Sequence, residues 1–344
     1  LSTSGGGGVV HWDNLTSVPG ELADGDDDTL PILPGTNWGL HVVTTVDSED
    51  WVGAWTSITV GADGLPVMSY FDDTNDDLKV AHCPDLACSS ATTHIVDSGG
   101  DVGRHSSIAV GVDRLPVISY LDDTNDDLKV AHCSNIECST ATLATVDSGG
   151  DVGSYPSIAV GVDGLPVISY LDETNEDLKV AHCSDVACTT ATTNTVDDGG
   201  GDVVGWYTSI TIGADGLPVI SYQNSIICDL KVAHCSDLAC SDPATITTVD
   251  GGGGEDVGWM TSITIGTDGL PVISYFDGSH SALRVAHCSD LACSDPATIT
   301  TVDGGGGEAV GLHSSIAVGA DGLPVISYHD LTNADLKVAH CSDV

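Results

Sequence analysis

Basic residues are what this sequence most conspicuously lacks. Eight lysines and arginines face 51 aspartates and glutamates, a formal charge of −43 over 344 residues. A nucleic-acid binder needs cationic contacts to phosphate, so no nucleic-acid partner is expected. An anionic membrane surface is equally unsuitable. Phe and Met number only two each, while Gly reaches 41, a profile of short strands and tight turns rather than long helices. No run of about twenty apolar residues is present, so no membrane insertion is expected. The chain begins at Leu1 with neither a basic nor an apolar leader segment. The expectation is a mature, secreted product whose export signal has been removed.

Internal repetition dominates everything after residue 40. An Ala-His-Cys tripeptide recurs at His82, His132, His182, His234, His287 and His340, in steps of 50, 50, 52, 53 and 53 residues. Each copy reads as four strands rich in Val, Ile, Thr and Tyr, in the first copy 57–60, 65–70, 78–83 and 92–96. Asp, Asn and Gly fill the gaps. Four strands in about 50 residues is the size of a propeller blade, so the expected fold is an all-β, six-bladed β-propeller with four-stranded blades. The sixth copy ends after its third strand. The run His41-Val42-Val43-Thr44-Thr45-Val46-Asp47 matches Thr247-Thr248-Val249-Asp250 and Thr300-Thr301-Val302-Asp303. Strand 41–47 is therefore expected to complete the last blade and close the ring, which removes the unpaired edges of an open array.

The unit Asp163-Gly164-Leu165-Pro166-Val167-Ile168-Ser169-Tyr170, followed by Thr174-Asn175 and Asp177-Leu178-Lys179-Val180-Ala181-His182, resembles repeats of bacterial secreted β-propellers of largely unassigned function. That resemblance spans 41–344 and supports the fold rather than an activity.

Five cysteine pairs share the spacing Cys-x4-Cys: Cys83–Cys88, Cys133–Cys138, Cys183–Cys188, Cys235–Cys240 and Cys288–Cys293. Each pair is alone in its blade, unlike a zinc knuckle, so local disulfides and an oxidising, extracellular or cell-surface location are expected. Each short loop adds roughly 2 kcal/mol. Cys228 and Cys341 remain, either unpaired or joined between subunits. The six histidines occupy one structural position per blade and read as repeated hydrogen-bonding groups. Lys79, Lys129, Lys179, Lys231 and Lys337, with Arg284 in the same slot, read as partners of nearby carboxylates.

Only Arg104 and Arg114 fall outside the repeated slot, in different turns, and no Gly-x-Ser-x-Gly elbow or Cys/His cluster is present. No catalytic residue and no enzymatic activity are expected. The second-to-third hairpins make one face acidic, with Asp72, Asp77, Asp122, Asp127, Asp172 and Asp177 as oxygen ligands suited to Ca²⁺. Asp and Asn in turns also cap their own backbone amides, a competing account of the same residues.

Residues 1–34 lie outside the repeat, which occupies a domain from 35 to 344. Trp12, Asn14, Leu15, Thr16, Val18 and Pro19, then Ala23-Asp24-Gly25-Asp26-Asp27-Asp28-Thr29, resemble a connector of bacterial surface-fibre and phage tail-fibre-like proteins. Asn14-Leu15-Thr16 also fits an N-glycosylation sequon. The expected role is a subunit of an extracellular filament or sheath, a homopolymer built head-to-tail through Val9, Val10, Trp12, Leu15, Val18 and Leu30 of this arm. The alternative is a Ca²⁺-dependent adhesin or lectin-like propeller with a glycan partner. One expectation is directly measurable. Mass spectrometry of a non-reduced digest should return each Cys-x4-Cys loop as one cross-linked peptide, and a peptide joining the paired cysteines of two blades would overturn the local assignment.

Overall fold

A computed structural model describes residues 44–49, 51–251, 253–304, 306 and 309–342. The arm 1–34, with its assembly residues and the sequon, lies outside them. All regular structure among the described residues is β. In blade 1, β1 (Val52–Val60), β2 (Pro66–Asp72), β3 (Asp77–His82) and β4 (Thr92–Asp97) form an antiparallel meander in sequence order. Blade 2 repeats it with β5 (Val102–Val110), β6 (Pro116–Asp122), β7 (Asp127–Cys133) and β8 (Ala141–Asp147). Five blades have four strands and the sixth has three, Val310–Val318, Pro324–Asp330 and Asp335–His340. The innermost strands of all six blades line one central cavity, the arrangement of a six-bladed propeller.

The turns follow from their side chains. Gly64 takes φ +82° in the first hairpin, and Asp63 accepts the Leu65 amide there at 3.1 Å. In the second hairpin Asp72 accepts the amides of Thr74 and Asn75 and the Asn75 side-chain amide. Asp63 also holds His82 Nε2 at 2.9 Å, and the same pairing recurs at His132, His182, His234, His287 and His340. The histidines are thus ties between strand ends and turns. The five disulfides form as expected, each closing its own blade, with Cα atoms 4.8 to 5.1 Å apart.

Blades adhere through two devices. Val67, Leu78 and Val80 of blade 1 pack on Val102, Ile108, Ile118 and Tyr120 of blade 2, and each later junction repeats this core. Beside it, Asp97 at the end of β4 accepts the Tyr120 hydroxyl at 2.7 Å and Lys129 Nζ at 2.5 Å, both from blade 2. Asp147, Asp197, Asp250 and Asp303 do the same for the next tyrosine and its lysine, or for Arg284 in blade 5. Burial alone would raise the Asp97 carboxyl, but the bonds from Lys129 and Tyr120 outweigh it and hold it below the usual carboxylate range.

Two sequence-based expectations change. The inner strand begins at Val52 rather than residue 57, because a bulge lets the ladder continue past Trp55. Pairing of 41–47 with the last blade is not seen: 41–43 lie outside the described residues, and 44–47 form no strand. Asp47 nevertheless takes the junction position, accepting Tyr70 and Lys79 of blade 1 at 2.7 and 2.6 Å. The apolar half of that junction is open among the described residues. Ile58 is 64% exposed where its counterpart Ile108 is 7%, and Leu336 is 79% exposed where Leu283 is fully buried.

Asp97→Ala strands Lys129 and Tyr120 and should cost about 3 kcal/mol in urea unfolding. Because the folded-state carboxyl titrates low, this contribution is full above about pH 4 and fades as pH falls through the lowered folded value. A loss of stability that is the same at all pH values would contradict the assignment.

Candidate functional site

The inner strands bulge at one common position, and the bulged residue turns into the cavity. Trp55, His105, Tyr155, Tyr207, Met260 and His313 all take left-handed φ, between 46° and 54°. Left-handed φ at six non-glycine residues costs roughly 1 kcal/mol each, so the surrounding ladder must enforce it. The result is a collar. His105 stacks on Tyr155 at 4.4 Å and 14°, with Trp55 edge-on to His105 at 5.1 Å and Tyr207 tilted on Tyr155 at 4.7 Å. It surrounds a cavity of about 840 Å³, within the range of small-molecule sites.

A hydroxyl relay supports the collar from behind. Ser106 donates to the Trp55 carbonyl at 3.0 Å and meets Ser69 at 2.8 Å. Thr208, Thr261 and Ser314 repeat this one blade at a time. Blade 3 has Pro156 in that column, which the inner edge strand tolerates. Ser119 Oγ is consequently buried without a partner. The relay breaks only between blades 2 and 3 in this run of junctions.

The charges break the repeat at the same place. In the two turn positions just before the inner strand and just after the second strand, blade 2 carries Asp101 and Asp123, and blade 3 carries Asp151 and Glu173. The other blades have Trp51 and Asp73, Val203 and Ser225, Asp256 and Gly278, and Ala309 and Leu331 there, so no other blade has two carboxylates. Arg104 makes a two-pronged pair with Asp101 at 2.9 Å, lies 3.8 Å from Asp123, and its guanidinium covers the Trp55 and Phe71 rings at 5.3 and 5.1 Å. Ser154 replaces it in blade 3 and donates to Glu173 at 2.6 Å.

Protonation follows. Burial, then the charges of Asp101 and Asp126, push the Asp123 carboxyl above its ordinary value against the opposing pull of Arg104. Burial, then Glu173, Asp126 and Asp123, do the same to Asp151. Burial and Arg104 push His105 down to about 4. Its Nδ1 accepts the Tyr155 amide at 3.2 Å, so the neutral ring carries its proton on Nε2. The region thus combines an aromatic wall, carboxyls that hold a proton more tightly than ordinary ones, and a fixed imidazole donor.

The residues singled out from sequence fall elsewhere. Asp72, Asp122 and Asp172 are buried and occupied by their own turn amides, by Asn75, Asn125 and Asn175, and by the neighbouring lysines. Asp77, Asp127 and Asp177 end the same hairpins. Among the described residues no three His, Cys, Asp or Glu side chains are grouped so that they could hold a metal ion. Cys228 opens the third strand of blade 4 and points its thiol at the Ser225 carbonyl, 3.6 Å away, while Cys341 follows the last strand and packs on the core between blades 5 and 6. Arg114 bonds the Ala62 carbonyl across blades 1 and 2 and takes no part in the mouth. Arg104, set aside in the sequence for lack of companions, pairs with Asp101 and covers the ring of Trp55, which lines the cavity. The missed signal was columnar: aligning the six copies isolates Pro156 and the paired carboxylates of blades 2 and 3.

Neither the family comparison nor the search of curated proteins finds a match. Solved structures do match. An α-L-arabinofuranosidase from Fusarium graminearum aligns with TM-score 0.54 and 10% identity over 83% of this chain and 91% of its own. A Hadza microbial sialidase gives 0.53 and 12% over 83% and 65%. An endo-arabinase from Bacteroides thetaiotaomicron gives 0.45 and 12% over 70% and 94%. At such identities the likeness establishes the propeller fold. The expectations of a filament subunit or lectin-like propeller and of no enzymatic activity are corrected here, because the structures that align above TM-score 0.5 are an arabinofuranosidase and a sialidase by name.

The orphaned hydroxyl gives a paired test. Ser119→Ala should raise stability by about 1 kcal/mol by removing a buried unsatisfied group. Ser169→Ala removes a group bonded to Thr208 at 2.6 Å and should lower it by about 1 kcal/mol. Equal effects in urea unfolding would remove the distinction between the two junctions.

Proposed function

We propose that the chain is an extracellular glycoside hydrolase whose site is the mouth of the central cavity between blades 2 and 3. The observation that carries this reading is the local break in the repeat. Among the described residues, only blades 2 and 3 carry two carboxylates each at these turn positions, and they are the blades whose His105 and Tyr155 rings stack. Aromatic faces bind the apolar faces of sugar rings, and paired carboxyls perform the chemistry of glycosidic cleavage. The fold shared with arabinofuranosidase and sialidase propellers is compatible with the same class of reaction.

In this reading Asp123 holds the transferable proton. Its raised affinity for that proton suits a general acid, which protonates the glycosidic oxygen as the bond to the anomeric carbon breaks. Glu173, oriented by the Ser154 hydroxyl, is the carboxylate that assists attack on the anomeric carbon. Water supplies the hydroxyl and the proton that complete the two products and restore Asp123. His105 donates through Nε2 to a sugar oxygen, and stays neutral throughout the working range because it titrates near 4. Arg104 fixes Asp101 and fills the gap above Trp55, which keeps Asp123 in place.

Release of reducing ends from a panel of polysaccharides and aryl glycosides tests the proposal. Asp123→Asn should lower kcat about 10²- to 10⁴-fold with unchanged unfolding. The wild-type rate should fall at high pH with a midpoint above the ordinary carboxylate range, because the acid must be protonated to act. A panel with no turnover, or an Asp123→Asn protein with full rate, would refute it.

A further inference from the structure

The space inside the collar differs in charge from the rest of the molecule. The chain carries −43, yet among the described residues no Asp, Glu, Lys or Arg lines the central cavity. Its two imidazoles are neutral as well: burial, then Arg104, pushes His105 down to about 4, and burial, then His329, lowers His313. The lining hydroxyls fall into two groups. Ser106, Thr208, Thr261 and Ser314 are engaged, each with a carbonyl and a hydroxyl of the preceding blade. The hydroxyls of Thr56, Ser315 and Ser327 have no hydrogen-bond partner among the described residues. His105 keeps its Nε2 proton for the cavity, because its Nδ1 accepts the Tyr155 amide, and the Trp55 ring beside it is 37% exposed.

We propose that the central cavity binds an uncharged saccharide, with one face of a sugar ring on Trp55 and its hydroxyls bonded to the free polar groups of the lining. The proposal rests on the hydrolase reading for the class of ligand and adds the absence of charge to it. A uronate or an amino sugar would have to give up water around its charge and find no opposite charge in the lining, which is costly. The field of the whole chain draws cations to its surface, but the cavity offers them no carboxylate. A purely apolar ligand fails for the opposite reason. It would cover Thr56, Ser315, Ser327 and the His105 Nε2 proton without giving them partners. A neutral sugar answers both constraints: its hydroxyls exchange bonds with water for bonds with these groups, and its apolar ring face covers the exposed indole.

The test compares neutral pentose and hexose oligomers with galacturonate and glucosamine oligomers of similar length. Binding is followed by calorimetry and tryptophan fluorescence at low and high salt, with reducing-end release measured in parallel. At high salt the best neutral oligomer should bind at least about tenfold tighter than either charged one, and its affinity should be the same at both salt levels. Trp55→Ala should weaken neutral binding by roughly tenfold. Met260→Glu gives the lining a carboxylate and should reverse the order in favour of the glucosamine oligomers, a second reading if Trp55→Ala fails to fold. Charged oligomers that bind as tightly as neutral ones at high salt would overturn the inference, as would neutral binding unchanged in both variants. Absence of binding by every oligomer would overturn it too. Turnover of charged oligomers alone would overturn this inference and leave the hydrolase reading standing. Neutral binding lost in Trp55→Ala but without turnover of any oligomer would uphold the cavity site and remove the hydrolase reading.

Discussion

A single carboxylate oxygen per junction, shared between a tyrosine and a lysine of the following blade, holds the registration of this ring. A buried lysine is costly unless paired, and a buried carboxylate likewise. Placing the acid at the end of one blade and both donors in the next makes each blade's charges tolerable only when its neighbour is docked in register. The apolar cores between blades are non-directional and would allow sliding. The Asp–Tyr–Lys contact does not, because Asp97 Oδ2 must meet Tyr120 and Lys129 together. The collar depends on that register in turn. The relay from Ser106 to the Trp55 carbonyl crosses the same junction, and a slip of one residue would move the hydroxyl to the wrong strand face.

A repeated scaffold concentrates information in its departures. Most of the acidic side chains that make the hairpin face look like a metal site are committed to turns, and the six conspicuous histidines are committed to turn aspartates. Several departures gather between blades 2 and 3: Ser119 without a partner, Pro156 in a hydroxyl column, and carboxyls whose neighbours are other carboxyls. A propeller can host chemistry there because strain at the mouth is borne by the whole ladder of inner strands rather than by the loop that carries the reacting group.

The repeat period, the four-strand unit, the local disulfides and the structural roles of His82 and Lys79 with their equivalents were all legible in the chain. Each rests on spacing alone, and spacing is preserved through six copies. The mouth was not legible in the same way. Asp123 and Glu173 look like ordinary hairpin residues until the inner-strand bulge turns His105 and Tyr155 inward beside them, and that bulge depends on six inner strands crowding around an axis. The arm was over-read for the opposite reason. Its composition invited an assembly role, while the repeats carried the contrast between columns from which a site could be recognised. Closure was half legible: Asp47, in the strand expected to complete the ring, makes the junction contact that Asp97 makes one blade later, whereas Ile58 and Leu336 remain uncovered among the described residues.

The disulfides each span five residues, and none links one blade to another. Covalent bonds therefore secure every module internally and leave the order of modules to the shared acid at each joint. Since each copy offers the same acid behind and the same tyrosine with a lysine or arginine in front, any two copies are compatible neighbours. Such a chain can gain, lose or exchange a whole blade by recombination without breaking a disulfide. Specialisation of blades 2 and 3 is then a change two modules can accumulate while the other four continue to hold the circle.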